Sequence, residues 1–214
     1  MGHSNYVCGT IWITGICASG KTTLGKRLHE NLIARGIENV EFFDGEELRK
    51  KLSRTYGYSS DDRLAAINEM TKIVCESNKN GKVAIISVLS HKRQARKIAR
   101  QNINNFMEVY LNCPVNVCAK RDYKGHYKKA FAGELDNFIG VTEPYEISKS
   151  PELIINTASS SIGECSKILL DQALRFLKLM IIILLGSKLV ERILKKKRVF
   201  LNRSPWHSKK MKFV

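Results

Sequence analysis

The sequence predicts an α/β fold in which a parallel β-sheet carries helices on both faces. Short apolar segments alternate with segments of helical periodicity along most of the chain, and a glycine-rich loop joins the first apolar segment to the first helical one. The chain has 214 residues, of which 43% are hydrophobic, so one substantial domain can bury its core. Ligands of such folds bind at the carboxyl ends of the strands, where the loops gather.

The first half of the chain contains three predicted strands and two predicted helices. The strands are expected at residues 10–14, 40–44 and 82–90, and the helices at 24–33 and 61–81. The second helix has a plausible N-cap at Ser60, apolar positions with helical spacing, and a stop at Gly81.

The second half continues the same alternation. It contains a basic helix at 92–103, a strand at 106–112, a helix beginning at 115, a strand at 151–157 and a last helix at 161–179. Residues 123–140 have weak periodicity, three glycines and many lysines, so we expect a mobile lid there.

The composition indicates which kind of ligand the protein binds and in which cellular compartment it is found. The formal net charge is +16, and residues 181–214 hold ten Lys/Arg and one Glu, which leaves a net +7 on the first 180 residues. A body with this excess suits a polyanionic ligand such as a nucleotide. Six cysteines without paired spacing indicate free thiols, and no signal peptide or membrane span is expected because the longest apolar run, 179–185, is too short. We therefore expect a cytoplasmic protein.

The stretch GICASGKTT, residues 15–23, is a phosphate loop. In G-x-x-x-x-G-K-[ST] the glycines let backbone N–H groups surround an anion, the lysine reaches the β- and γ-phosphates, and the following hydroxyl can ligate Mg²⁺. The alternatives are an ordinary glycine turn and a nucleotide-binding module without catalysis. The expected ATP contacts are Gly15, Cys17, Ala18, Ser19, Gly20, Lys21, Thr22 and Thr23, with Lys21 catalytic and Thr22 on the metal.

Four further motifs follow in a characteristic order: FFDGEELRKKL at 42–52, YGYSSDDR at 56–63, ISVLSHKR at 86–93 and a lid segment at 121–146 that contains K-G-x-Y-K-K-A and P-Y-E. Together they resemble the adenylylsulfate kinase family over about residues 7–178. The resemblance implies a phosphate-loop kinase fold with a mobile lid. It also implies transfer of the ATP γ-phosphate to the ribose 3′-hydroxyl of adenylyl sulfate.

The resemblance also assigns roles on the ATP side of the site. It places the catalytic aspartate at Asp44, a family serine at Ser90 and, directly before the lid, an arginine at Arg121 that helps to cover both nucleotides, ATP included. A carboxylate at the end of a strand beside the phosphate loop can hold Mg²⁺ or accept the proton of the attacking hydroxyl, but it can equally be a helix N-cap.

On the acceptor side the resemblance implies two arginines for the anionic group, two aromatic rings around the base, and lid lysines over both nucleotides. Each of these residues could instead be a surface ion pair or a core side chain. The substrate-binding residues so implied are Arg49, Tyr58, Arg63, Ile67, Lys124, Lys128 and Phe138.

Several positions depart from the family pattern. D-R-x-x-N-I-R-R is replaced by a segment with Ala66, Asn68 and Glu69, which removes an amide and two arginines from a helix expected to face the acceptor. The family's Leu-Ser-Gly in the phosphate loop is Ile-Cys-Ala, Asp-Gly-Asp is Asp-Gly-Glu, and S-P-Y-R is S-H-K-R. The ATP side is therefore expected to be intact and the acceptor side altered.

Three functions remain open from the sequence. The first is an ATP- and Mg²⁺-dependent kinase that acts on adenylyl sulfate. The second is the same chemistry on another nucleotide, such as cytidine diphosphoramidate. The third is a non-catalytic nucleotide- or RNA-binding protein. We expect a kinase domain at 1–178, a basic extension at 179–214 that is poorly ordered or forms a short helix, a small-molecule acceptor, no nucleic acid partner, and a possible homodimer.

Overall fold

A computed structural model describes residues 8–177. They form one five-stranded, fully parallel sheet with the strand order β2-β3-β1-β4-β5, flanked by helices. The strands are β1 (Gly9–Thr14), β2 (Val40–Asp44), β3 (Val83–Ser87), β4 (Phe106–Asn112) and β5 (Leu153–Asn156). The helices are α1 (Lys21–Ile33), α2 (Gly45–Lys50), α3 (Ser60–Lys79), α4 (Arg93–Asn102), α5 (Val115–Arg121), α6 (His126–Phe131) and α7 (162–177).

Strand β1 lies at the centre of the sheet and is buried along its whole length. Ile11 is paired with Ile85 of β3 on one side and with Met107 of β4 on the other. Because side chains alternate along a strand, Ile11 and Ile13 enter the core under α1 and α7, whereas Trp12 enters the core under α3 and α4. The predicted α/β fold with helices on both faces is confirmed.

The structure corrects the start of α3 and adds two short helices. The N-cap of α3 is Ser59, whose hydroxyl accepts a hydrogen bond from the backbone N–H of Asp62, and not Ser60. Two six-residue helices, α2 and α6, were not predicted, because so short a segment shows hardly more than one helical period.

The segment 123–140, which we call the lid, contains α6 and packs on the phosphate loop. The Tyr127 ring is 1% exposed, and its hydroxyl donates to the Cys17 carbonyl over 3.0 Å. The lid is therefore anchored in the core through Tyr127, while its side chains Tyr123 and Phe131 are exposed. Motion of the lid stays a prediction.

The predicted extension at 179–214 lies outside the described residues. Within 8–177, no helix is long and apolar enough to cross a membrane. All six cysteines fall in this range and are free thiols.

Candidate active site

A cavity of about 1240 Å³ opens at the carboxyl edge of the sheet. The phosphate loop, the ends of β2 and β3, helix α3 and the lid form its walls. Pockets for one small ligand commonly measure about 300–1,000 Å³, so this cavity has room for more than one. The predicted site residues on its walls are Cys17, Ala18, Ser19, Gly20, Lys21, Thr22, Thr23, Asp44, Arg49, Tyr58, Arg63, Ile67, Arg121, Lys124 and Phe138.

The backbone of the phosphate loop, residues 15–23, requires unusual angles. Gly15 has φ +150°, and a Cβ there would lie 2.8 Å from the Leu111 carbonyl oxygen. Gly20, the N-cap of α1, has φ +99° in the left-handed region. Ala18 is also left-handed, with φ 57°, although it carries a side chain. The loop therefore turns back on itself directly before the helix N-terminus, the geometry in which backbone N–H groups converge on an anion.

The Lys21 ammonium lies inside this loop. Its Nζ donates to the Ile16 carbonyl oxygen over 2.7 Å, and burial lowers the pKa of the group. The hydroxyl of Ser19 is buried beside it and has no hydrogen-bond partner among residues 8–177. A phosphate group in the loop would satisfy both donors.

Asp44 is at once a helix cap and a cavity group. Its Oδ1 accepts hydrogen bonds from the backbone N–H groups of Glu46 and Glu47, which caps α2. Its Oδ2 accepts a 2.6 Å hydrogen bond from the Thr22 hydroxyl. The two interpretations of this aspartate are therefore compatible, because each uses a different oxygen.

The donor set of Thr22 and Asp44 fits Mg²⁺. This cation prefers oxygen ligands and usually binds through one or two carboxylates, several waters and substrate phosphates. Within 8–177, no group of three or more His, Cys, Asp and Glu side chains could hold a metal ion by itself. A hydroxyl and a carboxylate at the mouth of a phosphate loop match a metal that the nucleotide brings with it.

Arg49, Tyr58 and Arg63 also line the cavity and form what we call the acceptor wall. The guanidinium carbons of Arg49 and Arg63 lie 5.1 and 5.2 Å from the centre of the Tyr58 ring. The Arg63 Nε donates to the Tyr58 carbonyl, and its Nη2 donates to the Asn137 carbonyl of the lid, both over 3.0 Å. The predicted aromatic and cationic residues are thus brought together.

The lid contributes Phe138 and Lys124 to the cavity. The Phe138 ring packs edge-on against Tyr127, with 4.9 Å between ring centres. The Lys124 Nζ lies 2.6 Å from Glu46 Oε1, and this hydrogen bond raises the pKa of the lysine. Lys128 is exposed and does not line the cavity, so its predicted contact with substrate is not supported by its position.

The turn at 138–143, which ends the lid, is attached to α3 and to the segment after β3. The carboxylate of Glu143 accepts from the Ser60 hydroxyl over 2.9 Å and pairs with Lys92 Nζ at 3.0 Å. His91 Nε2 is 3.6 Å from the same oxygen. Burial of His91, with the positive charges of Arg63 and Lys92 nearby, lowers its pKa to about 4, so the imidazole is neutral at pH 7.

The structure does not support a catalytic role for Ser90. The residue is 1% exposed, and its hydroxyl accepts from Trp12 Nε1 over 3.0 Å and contacts the Thr14 hydroxyl at 2.9 Å. Thr14 in turn contacts the Tyr145 hydroxyl at 2.9 Å. The serine therefore belongs to a buried hydrogen-bond network that joins β1 to the segment after the lid, and it does not line the cavity.

The three departures in α3 also differ from expectation. Arg63, Ile67 and Met70 line the cavity, whereas Ala66, Asn68 and Glu69 do not. Ala66 is fully buried, and Glu69 is directed to the loop before α3. The expectation that these three positions face the acceptor is therefore wrong.

A further part of the cavity wall was missed by the sequence interpretation. Thr157, Ser160 and Ile162 line the cavity beside Arg121, directly after β5. The Arg121 Nη2 donates to the Thr157 carbonyl over 2.7 Å, and the Thr157 hydroxyl donates to the Ser19 carbonyl over 3.0 Å. Their position at the carboxyl end of a parallel strand was the available signal.

Comparison with known proteins agrees with this geometry. The family model for adenylylsulphate kinase matches residues 7–156. The adenylyl-sulfate kinase from Synechococcus sp. (strain JA-3-3Ab) is 38% identical over 78% of this chain and 93% of its own length. The adenylyl-sulfate kinase from Halothermothrix orenii is 37% identical over 72% of this chain and 83% of its own length.

Solved structures show the same relationship. The Mycobacterium tuberculosis APS kinase in complex with AMPPNP and APS superposes with a TM-score of 0.73 at 29% identity, covering 78% of this chain and 98% of that one. A gluconokinase from Sinorhizobium meliloti, at 18% identity and a TM-score of 0.55, covering 85% of this chain and 98% of its own, shares the fold. With a phosphate loop, a strand-end aspartate and an aromatic–arginine wall around one cavity, and with these matches, the chain belongs to the adenylylsulfate kinase family.

Proposed function

We propose that this protein is an ATP- and Mg²⁺-dependent kinase that phosphorylates the 3′-hydroxyl of adenylyl sulfate. The observation that carries the proposal is that two different groups of residues line one cavity: Lys21, Thr22 and Asp44 form one group, and Arg49, Tyr58 and Arg63 form the other. The names of the relatives, and the AMPPNP and APS bound in the M. tuberculosis structure, support the same substrates.

The ATP side binds and neutralises the donor. The backbone of the phosphate loop and Lys21 surround the β- and γ-phosphates. Thr22 would hold Mg²⁺ directly, and Asp44 would hold it through a water, which leaves its Oδ2 available to the attacking hydroxyl. When bound, Mg²⁺ would supply positive charge to the phosphate oxygens. We assign the cover over the adenosine end of ATP to Arg121, Thr157 and Ile162, which all line the cavity.

The acceptor side positions the nucleophile. Tyr58 and Phe138 contact the base by stacking, and Arg49 and Arg63 pair with the anionic group. The 3′-oxygen then attacks the γ-phosphorus, the bond to the bridging oxygen breaks, and ADP leaves. Asp44 Oδ2 accepts the proton of the attacking hydroxyl. The lid excludes water, which would otherwise take the phosphoryl group.

The decisive experiment measures ADP formation by the full chain with adenylyl sulfate, a cytidine diphosphate derivative and no acceptor. We expect turnover with adenylyl sulfate that falls at least about 100-fold in Lys21→Ala, because that lysine neutralises charge in the transition state. Preference for the cytidine acceptor would show an altered substrate, and ATP binding without turnover on any acceptor would show a binding protein.

A further inference from the structure

The loop at 51–59 joins α2 to α3 and carries Tyr58, which lines the cavity. The conformation of this loop therefore determines the position of the Tyr58 ring in the acceptor wall. It has no strand or helix of its own. At its cavity end the Arg49 Nη2 donates to the Tyr56 carbonyl over 3.2 Å and also to the Gly57 carbonyl.

On its other side the loop is bound by the carboxylate of Glu69. Glu69 Oε1 accepts the backbone N–H of Ser53 over 2.6 Å, and Oε2 accepts the hydroxyls of Ser53 and Tyr56 over 2.8 and 2.7 Å. These hydrogen bonds lower the pKa of Glu69, with the bond from the Ser53 N–H as the largest cause. Charge-assisted bonds of this length are stronger than neutral ones.

Tyr56 connects the two ends of this arrangement. Its hydroxyl is bound by Glu69, its carbonyl by Arg49, and its ring is covered by the Arg54 guanidinium, 4.3 Å from the ring centre. Fixing Tyr56 therefore fixes the backbone two residues before Tyr58.

We propose that Glu69 is a positioning residue for the acceptor, which acts by holding Ser53 and Tyr56 and thereby the Tyr58 side of the cavity. The inference depends on the proposed function, because its effect is on acceptor binding. The chemistry requires an acceptor group: arginine, usual at this position in the family motif, has donors only and could not bind these three partners. The core contacts of α3 come from Ile67, Met70 and Val74 on another side of the helix, so they are expected to survive loss of Glu69.

The test compares Glu69→Gln, Tyr56→Phe and the double variant in the full chain. Glu76→Gln is the matched control, since Glu76 is on the same helix and its carboxylate pairs, among residues 8–177, only with Lys79, at 3.4 Å on the surface. We expect KM for adenylyl sulfate to rise about three- to tenfold in both single variants, as loss of one or two such hydrogen bonds implies. KM for ATP and kcat should stay within about twofold of the parent values. Because the hydrogen bond between Tyr56 and Glu69 is lost in either single variant, KM for adenylyl sulfate in the double variant should stay within about twofold of KM in the more impaired single variant.

A second measurement does not depend on the acceptor. Amide hydrogen exchange at 51–58 should be faster in Glu69→Gln and Tyr56→Phe than in the parent and in Glu76→Gln. Unchanged exchange, or equal increases in KM for ATP and acceptor, would overturn the positioning role. If the parent does not turn over adenylyl sulfate but exchange at 51–58 still responds, the proposed function fails while the structural part of the inference stands.

Discussion

The phosphate loop and the acceptor wall line one cavity, but different kinds of contact determine their shapes. The loop is nine consecutive residues whose geometry comes from the backbone, with Gly15 and Gly20 in conformations that side chains rarely adopt. The three residues of the acceptor wall come from separate segments of the chain, namely α2, the loop at 51–59 and α3, and they lie beside Asn137 of the lid and the turn at 138–143. Side chains bound to distant carbonyls and carboxylates hold these segments together.

This difference has an energetic consequence. A typical hydrogen bond contributes only about 1 kcal/mol to a conformation, so each contact behind the acceptor wall is individually weak. Substitutions there should change acceptor binding in small steps and leave ATP binding unaffected. Substitutions at the groups that touch the transferred phosphate should instead change turnover itself.

Asp44, which is bound to Thr22 of the phosphate loop, should give the largest effect. Asp44→Asn is expected to lower kcat by about 100-fold or more, because an amide cannot accept the proton of the attacking hydroxyl. KM for ATP should change only a few fold. Steady-state kinetics with adenylyl sulfate measures both.

The thermal stability of Asp44→Asn shows whether the variant is correctly folded. Asparagine caps helices about as well as aspartate, so the thermal midpoint should match that of the parent within about 2 °C. Equal turnover in parent and variant would reduce Asp44 to the cap of α2.

Tyr58 tests the acceptor side alone. Tyr58→Ala should raise KM for the acceptor about 5- to 100-fold, since stacking on one base contributes about 1–3 kcal/mol. KM for ATP, measured in the same series, should not follow. Tyr58→Phe keeps the ring and is expected to bind the acceptor nearly as the parent does. Similar losses in the alanine and phenylalanine variants would show that the hydroxyl, and not the ring, makes the contact.

The same division explains what could be read from the sequence. The phosphate loop was predictable because its function depends on consecutive residues between a strand and a helix. Asp44 was predictable as the last residue of a strand, and the five strands were found because each is an apolar run. All of these features are local.

The residues whose positions were predicted wrongly are those whose roles depend on the direction of a side chain or on partners far away in the sequence. Ser90 follows a strand, and a serine there gives no sign of whether its hydroxyl points to the cavity or into the core. Glu69 and Asn68 could have been excluded from the cavity, since about 100° per residue puts them on other faces of α3 than Arg63 and Ile67. The partners of Glu69, at 53 and 56, could not be predicted, because nothing local links those positions to the helix.

His91 allows a pH test of the acceptor side. Its folded-state pKa of about 4 lies below the ordinary value, so at pH 5–7 the unfolded chain binds more protons than the folded one. The free energy of unfolding should therefore fall as the pH is lowered from 7 to 5, with at most about 2 kcal/mol of the fall due to this group. The positive charges of Arg63 and Lys92 and the carboxylate of Glu143 act on the imidazole.

The measurement is urea unfolding at pH 7 and pH 5. His91→Gln should show a smaller difference between the two pH values than the parent, whereas His126→Gln, on an exposed histidine, should show the parental difference. A parental pH dependence in His91→Gln would mean that the histidine is free to protonate in the folded protein.

The smallest expected effect concerns the backbone of the phosphate loop. Ala18 has φ 57° where the family favours glycine, and a left-handed conformation costs a residue with a side chain about 1–2 kcal/mol. Ala18→Gly removes this strain but adds about 0.5–1 kcal/mol of backbone entropy to the unfolded chain. The thermal midpoint should therefore rise by only about 1–2 °C, with kcat nearly unchanged. Gly20→Ala is the reverse substitution in the same loop. The φ of Gly20 is +99°, and nothing lies within 4 Å of an added Cβ, so any loss of stability in this variant would come from backbone strain alone. A lower midpoint in Ala18→Gly would show that the alanine methyl contributes more through its contacts than its backbone angle costs, and the loop would then depend on side-chain packing as the acceptor wall does.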